Sequence, residues 1–148
     1  MTIKVVRVEL TSHAHATEDV NKVLKAVLTL VPPSVRGRAK IQKETLEGHY
    51  SNPITRITVT LLGNDAIETV KYMLSATDKT SISLLSSSLD LKYDSRSGKL
   101  YLRFDKQEAY LGRLRLTDGD DVVRVVIVFQ GRPSITDIRK FVEKFSGG

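Results

Sequence analysis

Gly98-Lys-Leu-Tyr-Leu-Arg-Phe-Asp105 opens the stretch that decides this fold, and Val122-Val-Arg-Val-Val-Ile-Val-Phe129 closes it. Leu100, Leu102 and Phe104 alternate with Tyr101, Arg103 and Asp105, which is the period of a half-buried strand. Leu114 and Leu116 alternate with Arg113 and Arg115 in the same way. Val123, Val125, Ile127 and Phe129 form the apolar set of a last strand, whose other face carries Arg124, Val126 and Val128. Asp118-Gly119-Asp120-Asp121 lies between these runs and is a hairpin signal. Lys106 to Gly112 is too short for a full strand and ends in glycine, so it reads as one helical turn aiming side chains off the sheet edge.

Outward from this stretch, the period switches repeatedly between 2 and 3.6. Ile3–Leu10, Ala39–Leu46 and Ile54–Leu62 are predicted to add strands, and Thr17–Leu30, Asp65–Ala76 and Ser134–Phe145 to form helices. The first helix opens at Thr17, with Glu18 and Asp19 in its first turn, and Pro32-Pro33 stops it. Its inner face is Val20, Val23, Leu24, Val27, Leu28 and Val31. Lys79–Leu89, rich in serine, fits a short helix and an irregular segment equally well. Asp94–Gly98 is a turn. The order of elements predicts an α+β fold, a sandwich of a mostly antiparallel sheet with helices mainly on one face.

The 148 residues fit a single domain, 1–148, with 41% hydrophobic and 27% charged residues. There is no cysteine, which excludes disulfides, thiolate nucleophiles and cysteine metal sites. Neither a signal peptide nor a membrane span is visible, so the cytoplasm and no membrane partner are expected. The formal net charge of +6 favours polyanions as partners. No Walker or Gly-x-Gly-x-x-Gly loop occurs, and no Gly-x-Ser-x-Gly elbow. His13 and His15, set in a loop beside a strand, reach toward His49 at most, and a recognisable third metal ligand is missing. The expectation is therefore no catalytic site on His13, His15 or His49, no metal and no cofactor.

Two motifs carry a resemblance. Glu47-Gly-His-Tyr-Ser-Asn-Pro-Ile54 and Leu100-Tyr-Leu-Arg-Phe-Asp-Lys-Gln-Glu-Ala-Tyr-Leu-Gly112 resemble an archaeal family of predicted exosome subunits or RNA-binding proteins. That resemblance implies a fold like the large-subunit ribosomal protein that binds five-S rRNA, and RNA as partner, with other RNA-processing proteins beside it. It marks His49, Asn52, Arg103, Asp105, Lys106, Gln107 and Tyr110 as candidate surface residues.

The residues themselves point to RNA held through its phosphates. Arg36, Arg38 and Lys40 share one face if the chain is extended there, and Arg103, Lys106, Arg113 and Arg115 supply further cations. Tyr101 and Tyr110 offer stacking planes, but with 6% aromatics an RRM-like platform is not expected. With Arg103 and Lys106 exposed, replacing both by alanine should leave stability within about 0.5 kcal/mol. Two other classes stay open: a protein–protein adaptor using the sheet edge or the Glu47–Pro53 loop, and a small metal-dependent RNA-processing enzyme.

Overall fold

The computed structural model of the chain describes residues 3–47 and 52–146. One antiparallel sheet holds β1 (Val5–Ala14), β2 (Lys40–Glu47), β3 (Pro53–Leu62), β4 (Tyr93–Asp94), β5 (Lys99–Asp105) and β6 (Val122–Phe129), in the order β2-β3-β1-β6-β5-β4. The helices are α1 (Val20–Thr29), α2 (Gly63–Ala76), α3 (Lys79–Ser87), α4 (Leu89–Lys92), α5 (Lys106–Tyr110) and α6 (Ile135–Phe145). They lie mainly on one side of the sheet, so the α+β expectation holds.

Strand alternation explains the layering. Val8, Leu10, Ser12 and Ala14 of β1, Ile57, Val59 and Leu61 of β3, Leu100, Leu102 and Phe104 of β5, and Val123 to Phe129 at every second position of β6 are all buried. Against them pack Val23, Ala26 and Val27 of α1, Val70, Met73 and Leu74 of α2, and Ile138, Phe141 and Val142 of α6. Val20, Leu24 and Leu28 pack at the rim of this core, partly buried. Phe129, Phe141 and Tyr93 meet edge to face, with centroids 5.6 and 6.2 Å apart, the geometry aromatic quadrupoles favour.

Several local expectations are corrected. The first strand runs on to Ala14, which puts His13 inside β1 rather than in a loop. The first helix starts later, because Asp19 rather than Thr17 caps it, accepting from the Asn21 N–H. Arg36 and Arg38 sit in a 3-10 turn, Pro33–Arg38, so they do not alternate along a strand with Lys40. Lys79–Ser87 is helical, its N-terminus capped by Asp78. Asp118–Asp121 is a bend but joins no hairpin of adjacent strands. Both edges of β6 are already taken, by β1 and β5, so Arg113–Leu116 falls outside β5. There Leu116 bridges Phe104, the Asp105 N–H donates to the Arg115 carbonyl (2.9 Å), and the Thr117 N–H donates to that of Arg103 (3.0 Å). The helical turn at Lys106 is present as α5, capped by Asp105, which accepts from the Glu108 N–H.

Candidate nucleic-acid interface

The side of the sheet away from the helices carries the residues that alternate with the core, and of those described only Val122, at the start of β6, is buried. Register makes them a lattice. One row runs Gln42, Thr58, Thr11, Arg124, Arg103 across β2, β3, β1, β6 and β5. The row beside it runs Lys40, Thr60, Glu9, Val126, Tyr101, and the next on that side Leu62, Arg7, Val128, Lys99. On the other side, Glu44, Arg56 and His13 stand opposite one another.

Charge on this face is mostly positive, with Glu9 and Glu44 among its few acids. Arg56 pairs with Glu44, but Arg7, Lys40, Lys99, Arg103 and Arg124 have no carboxylate at ion-pair distance among the described residues. Of the nearby acids, Asp105 is spent on capping α5 and Asp94 on its own turn, accepting from the Arg96 N–H and the Ser97 hydroxyl. Arg103 and Arg124 face each other directly across β5 and β6, an arrangement that costs stability unless an anion lies between or above them. The same field acts on His13: partial burial, then Arg56, Arg124, His15 and Lys106, hold its imidazole below the ordinary value.

The expected site residues scatter. Arg103 is on the open face and Lys40 on the outer strand of it. Arg38 lies elsewhere, in a two-point ion pair with Asp65 (2.9 and 3.0 Å), and Arg36 donates to the Val31 carbonyl (2.8 Å). Arg113 and Arg115 converge on Glu108, at 2.5 and 3.9 Å. Tyr110 is half-buried, with the Lys25 ammonium 4.7 Å from its ring centroid, so its stacking face is already occupied. Gln107 donates to Asp121 (3.0 Å), and Asn52 is exposed just before β3. His49 lies outside the described residues.

Lys106 is the largest departure. It is 3% exposed. Its ammonium meets the His13 carbonyl (3.0 Å), Glu18 (2.9 Å) and Asp121 (2.7 Å), which tie the end of β1 to the entrances of α1 and β6. Three donors meet three acceptors, which leaves no proton for a phosphate. Burial pushes the Glu18 carboxyl up, but the Lys106 hydrogen bond, the His15 N–H and the Lys106 charge bring it net below its ordinary value. For Asp121 burial also raises, but hydrogen bonds from Gln107 and Lys106, with the Lys106 charge, bring it net below its ordinary value.

Carboxyls depressed in the fold stabilise it above their unfolded values, about 4.3 for Glu and 3.9 for Asp, and that stability is lost as pH falls through the folded values. Denaturant unfolding from pH 6 to 2.5 should therefore weaken below about pH 4.5, and the Glu18→Gln/Asp121→Asn variant should show a shallower decline. An equally steep decline in the variant would mean the trio is not the acid-sensitive element.

The candidate interface residues that strand reading does not single out are Arg7, Arg56 and Arg124. Each stands at a solvent-side position of an alternating run, which is a visible signal. What period 2 does not reveal is which strands adjoin, and hence that these arginines share a surface with Arg103.

Among the described residues no three His, Asp or Glu side chains are placed to hold a metal ion, and no helix is long and apolar enough to cross a membrane.

A family model described as RNA binding matches residues 7–129. The chain is 38% identical over 127 residues to an uncharacterized protein of Methanocaldococcus jannaschii, covering 83% of each. It is 32% identical over 131 residues to an RNA-binding protein of Pyrococcus abyssi, covering 85% of this chain and 82% of that one. A solved structure from Sulfolobus solfataricus, carrying the family label DUF54, superposes with a TM-score of 0.78 at 28% identity, over 93% of this chain and 98% of that one.

Proposed function

The chain belongs to this RNA-binding family, and we propose that it binds RNA without catalysing a reaction, through the open face of its sheet. The observation that carries the reading is the set of cations without partners, Arg7, Lys40, Lys99, Arg103 and Arg124, on the one face that no helix covers. Such a lattice matches a polyanion whose charges repeat along a backbone, and phosphate contacts of this kind position a partner without reading its sequence. Arg36, Arg38, Arg113 and Arg115 are secondary in this reading because each already has a partner.

The finer role we propose is that of an accessory in archaeal RNA processing or degradation, associated with an exosome-like complex, acting in the cytoplasm, with a likeness to the ribosomal protein that holds five-S rRNA. One feature favours a protein neighbour as well. Strand β2 is a sheet edge exposed on both sides, which leaves a row of backbone donors and acceptors for another chain.

Binding titrations of a structured and a single-stranded RNA at a series of salt concentrations test the central claim. Counterion release lowers log K by about 0.7 to 0.9 per phosphate contact, so four engaged phosphates give a slope of roughly −3 to −4. No binding to either RNA at low salt would overturn the reading and leave a protein adaptor in its place.

A further inference from the structure

Beside the cationic face, at the outer edge of β5, the sheet is interrupted. Strand β4 pairs with β5 only at Lys99 and Leu100, and the next neighbour is the bridge from Phe104 to Leu116. The edge at Tyr101 and Leu102 thus lacks a strand partner, and a cavity of about 200 Å³ opens there. Leu84 and Leu85 of α3 line it, with Tyr101, Leu102 and Arg103 of β5 and with Leu116. At one end stands the Lys92–Asp118 ion pair (3.4 Å).

Two apolar groups are left in water at this spot. Leu84 is 61% exposed and Tyr101 43%. The cavity is smaller than the roughly 300–1,000 Å³ of sites for drug-sized ligands, so it suits one flat ring system rather than a peptide segment. Its walls are apolar, while its rim is polar: the Thr117 hydroxyl accepts from the Gly119 N–H and keeps its own proton to donate. Arg103 belongs both to this lining and to the row that ends Arg124, Arg103 on the open face. A strand whose phosphates rest on those two arginines passes the mouth of the cavity.

We propose that this slot receives one unstacked nucleobase of the RNA held on the sheet face, an inference that rests on the RNA-binding reading above. Bases available for such capture occur in single strands, loops and bulges, where they are splayed out to stack on aromatic rings. The ligand class is therefore RNA with an unpaired nucleotide, and a continuous duplex fits the same phosphates but leaves the slot empty.

The test uses the full chain with two probes of one sequence: a single-stranded RNA carrying 2-aminopurine at successive positions, and its blunt duplex. Stacking of one base in the slot should make the single strand bind about tenfold tighter than the duplex at equal salt, and should change 2-aminopurine fluorescence at one position. Leu84→Ser alters no charge and lies on the surface, so the salt slope should stay as in the wild type while the preference and the fluorescence change vanish. Tyr101→Ser should do the same. Preference and fluorescence unchanged in both variants would overturn the slot. Equal affinity for single strand and duplex would overturn it too, while leaving RNA binding by the sheet face intact. A wild-type dimer that Leu84→Ser dissociates in sedimentation would overturn it by giving the slot to a second copy. Absence of all RNA binding would overturn this inference together with the reading it rests on.

Discussion

Replacing Lys106 by methionine is expected to destabilise the fold by about 2–3 kcal/mol, the largest loss for any single cation on this chain. Methionine keeps most of the length and the apolar stem, so the change removes the ammonium with little cavity. The His13 carbonyl, Glu18 and Asp121 then lose their shared donor. Breaking a fully buried pair costs about 3–5 kcal/mol, because the remaining charge is stranded. Here the side chains of Glu18 and Asp121 are 26% and 51% exposed, so both carboxylates regain water and the loss is smaller. For a domain of this size the melting temperature should fall by about 5–10 °C. The same variant should keep the salt slope of RNA binding, since its ammonium faces inward. Stability within about 0.5 kcal/mol of the wild type, the outcome a surface lysine gives, would refute the structural role.

Lys106 also shows where sequence reading stops. In the run Arg103-Phe-Asp-Lys106 it looks like one more cation at a strand end, and nothing local sets it apart. Its burial depends on Glu18, 88 residues away, and on the His13 carbonyl, 93 away. Partners that far apart leave no periodic trace. What was legible is what local physics decides: the alternation of Val123, Val125, Ile127 and Phe129, the helical spacing of Val23 and Val27, and the Asp105 turn into α5. Lys79–Leu89 is ambiguous in sequence because serine competes with the backbone for hydrogen bonds, and Asp78 as a cap makes Lys79–Ser87 a helix. The Asp118-Gly119 signal misled for a related reason. A turn sequence reports a bend, whereas pairing is settled by which strand edges are free, and β6 had none. Arg124 reads from the sequence as sharing a face with Val126 and Val128, but only register places it opposite Arg103.

Replacing Arg103 and Arg124 together by alanine should weaken RNA binding more than any other pair on the chain. If each holds one phosphate, the slope of log K against log salt becomes shallower by about 1.4–1.8, twice the release per contact. Affinity at low salt should drop by at least tenfold, and equally for unrelated sequences, since phosphates carry no sequence information. Stability should not fall with it. The two guanidinium groups face each other across β5 and β6 without a carboxylate partner among the described residues, so removing both relieves a repulsion. A rise of a few tenths of a kcal/mol is expected, within the ordinary range for surface changes. Arg38→Ala provides the control. That side chain is locked onto Asp65 and lies off the face, so its loss should leave the slope where it was. Salt titrations of the three proteins on one structured RNA decide the matter. If the double variant keeps the wild-type slope while Arg38→Ala flattens it, the RNA lies on the helix side and the open sheet face is not the interface. A flattened slope joined to unchanged or higher stability has a different meaning: the fold tolerates opposed arginines because RNA supplies the missing negative charge between them.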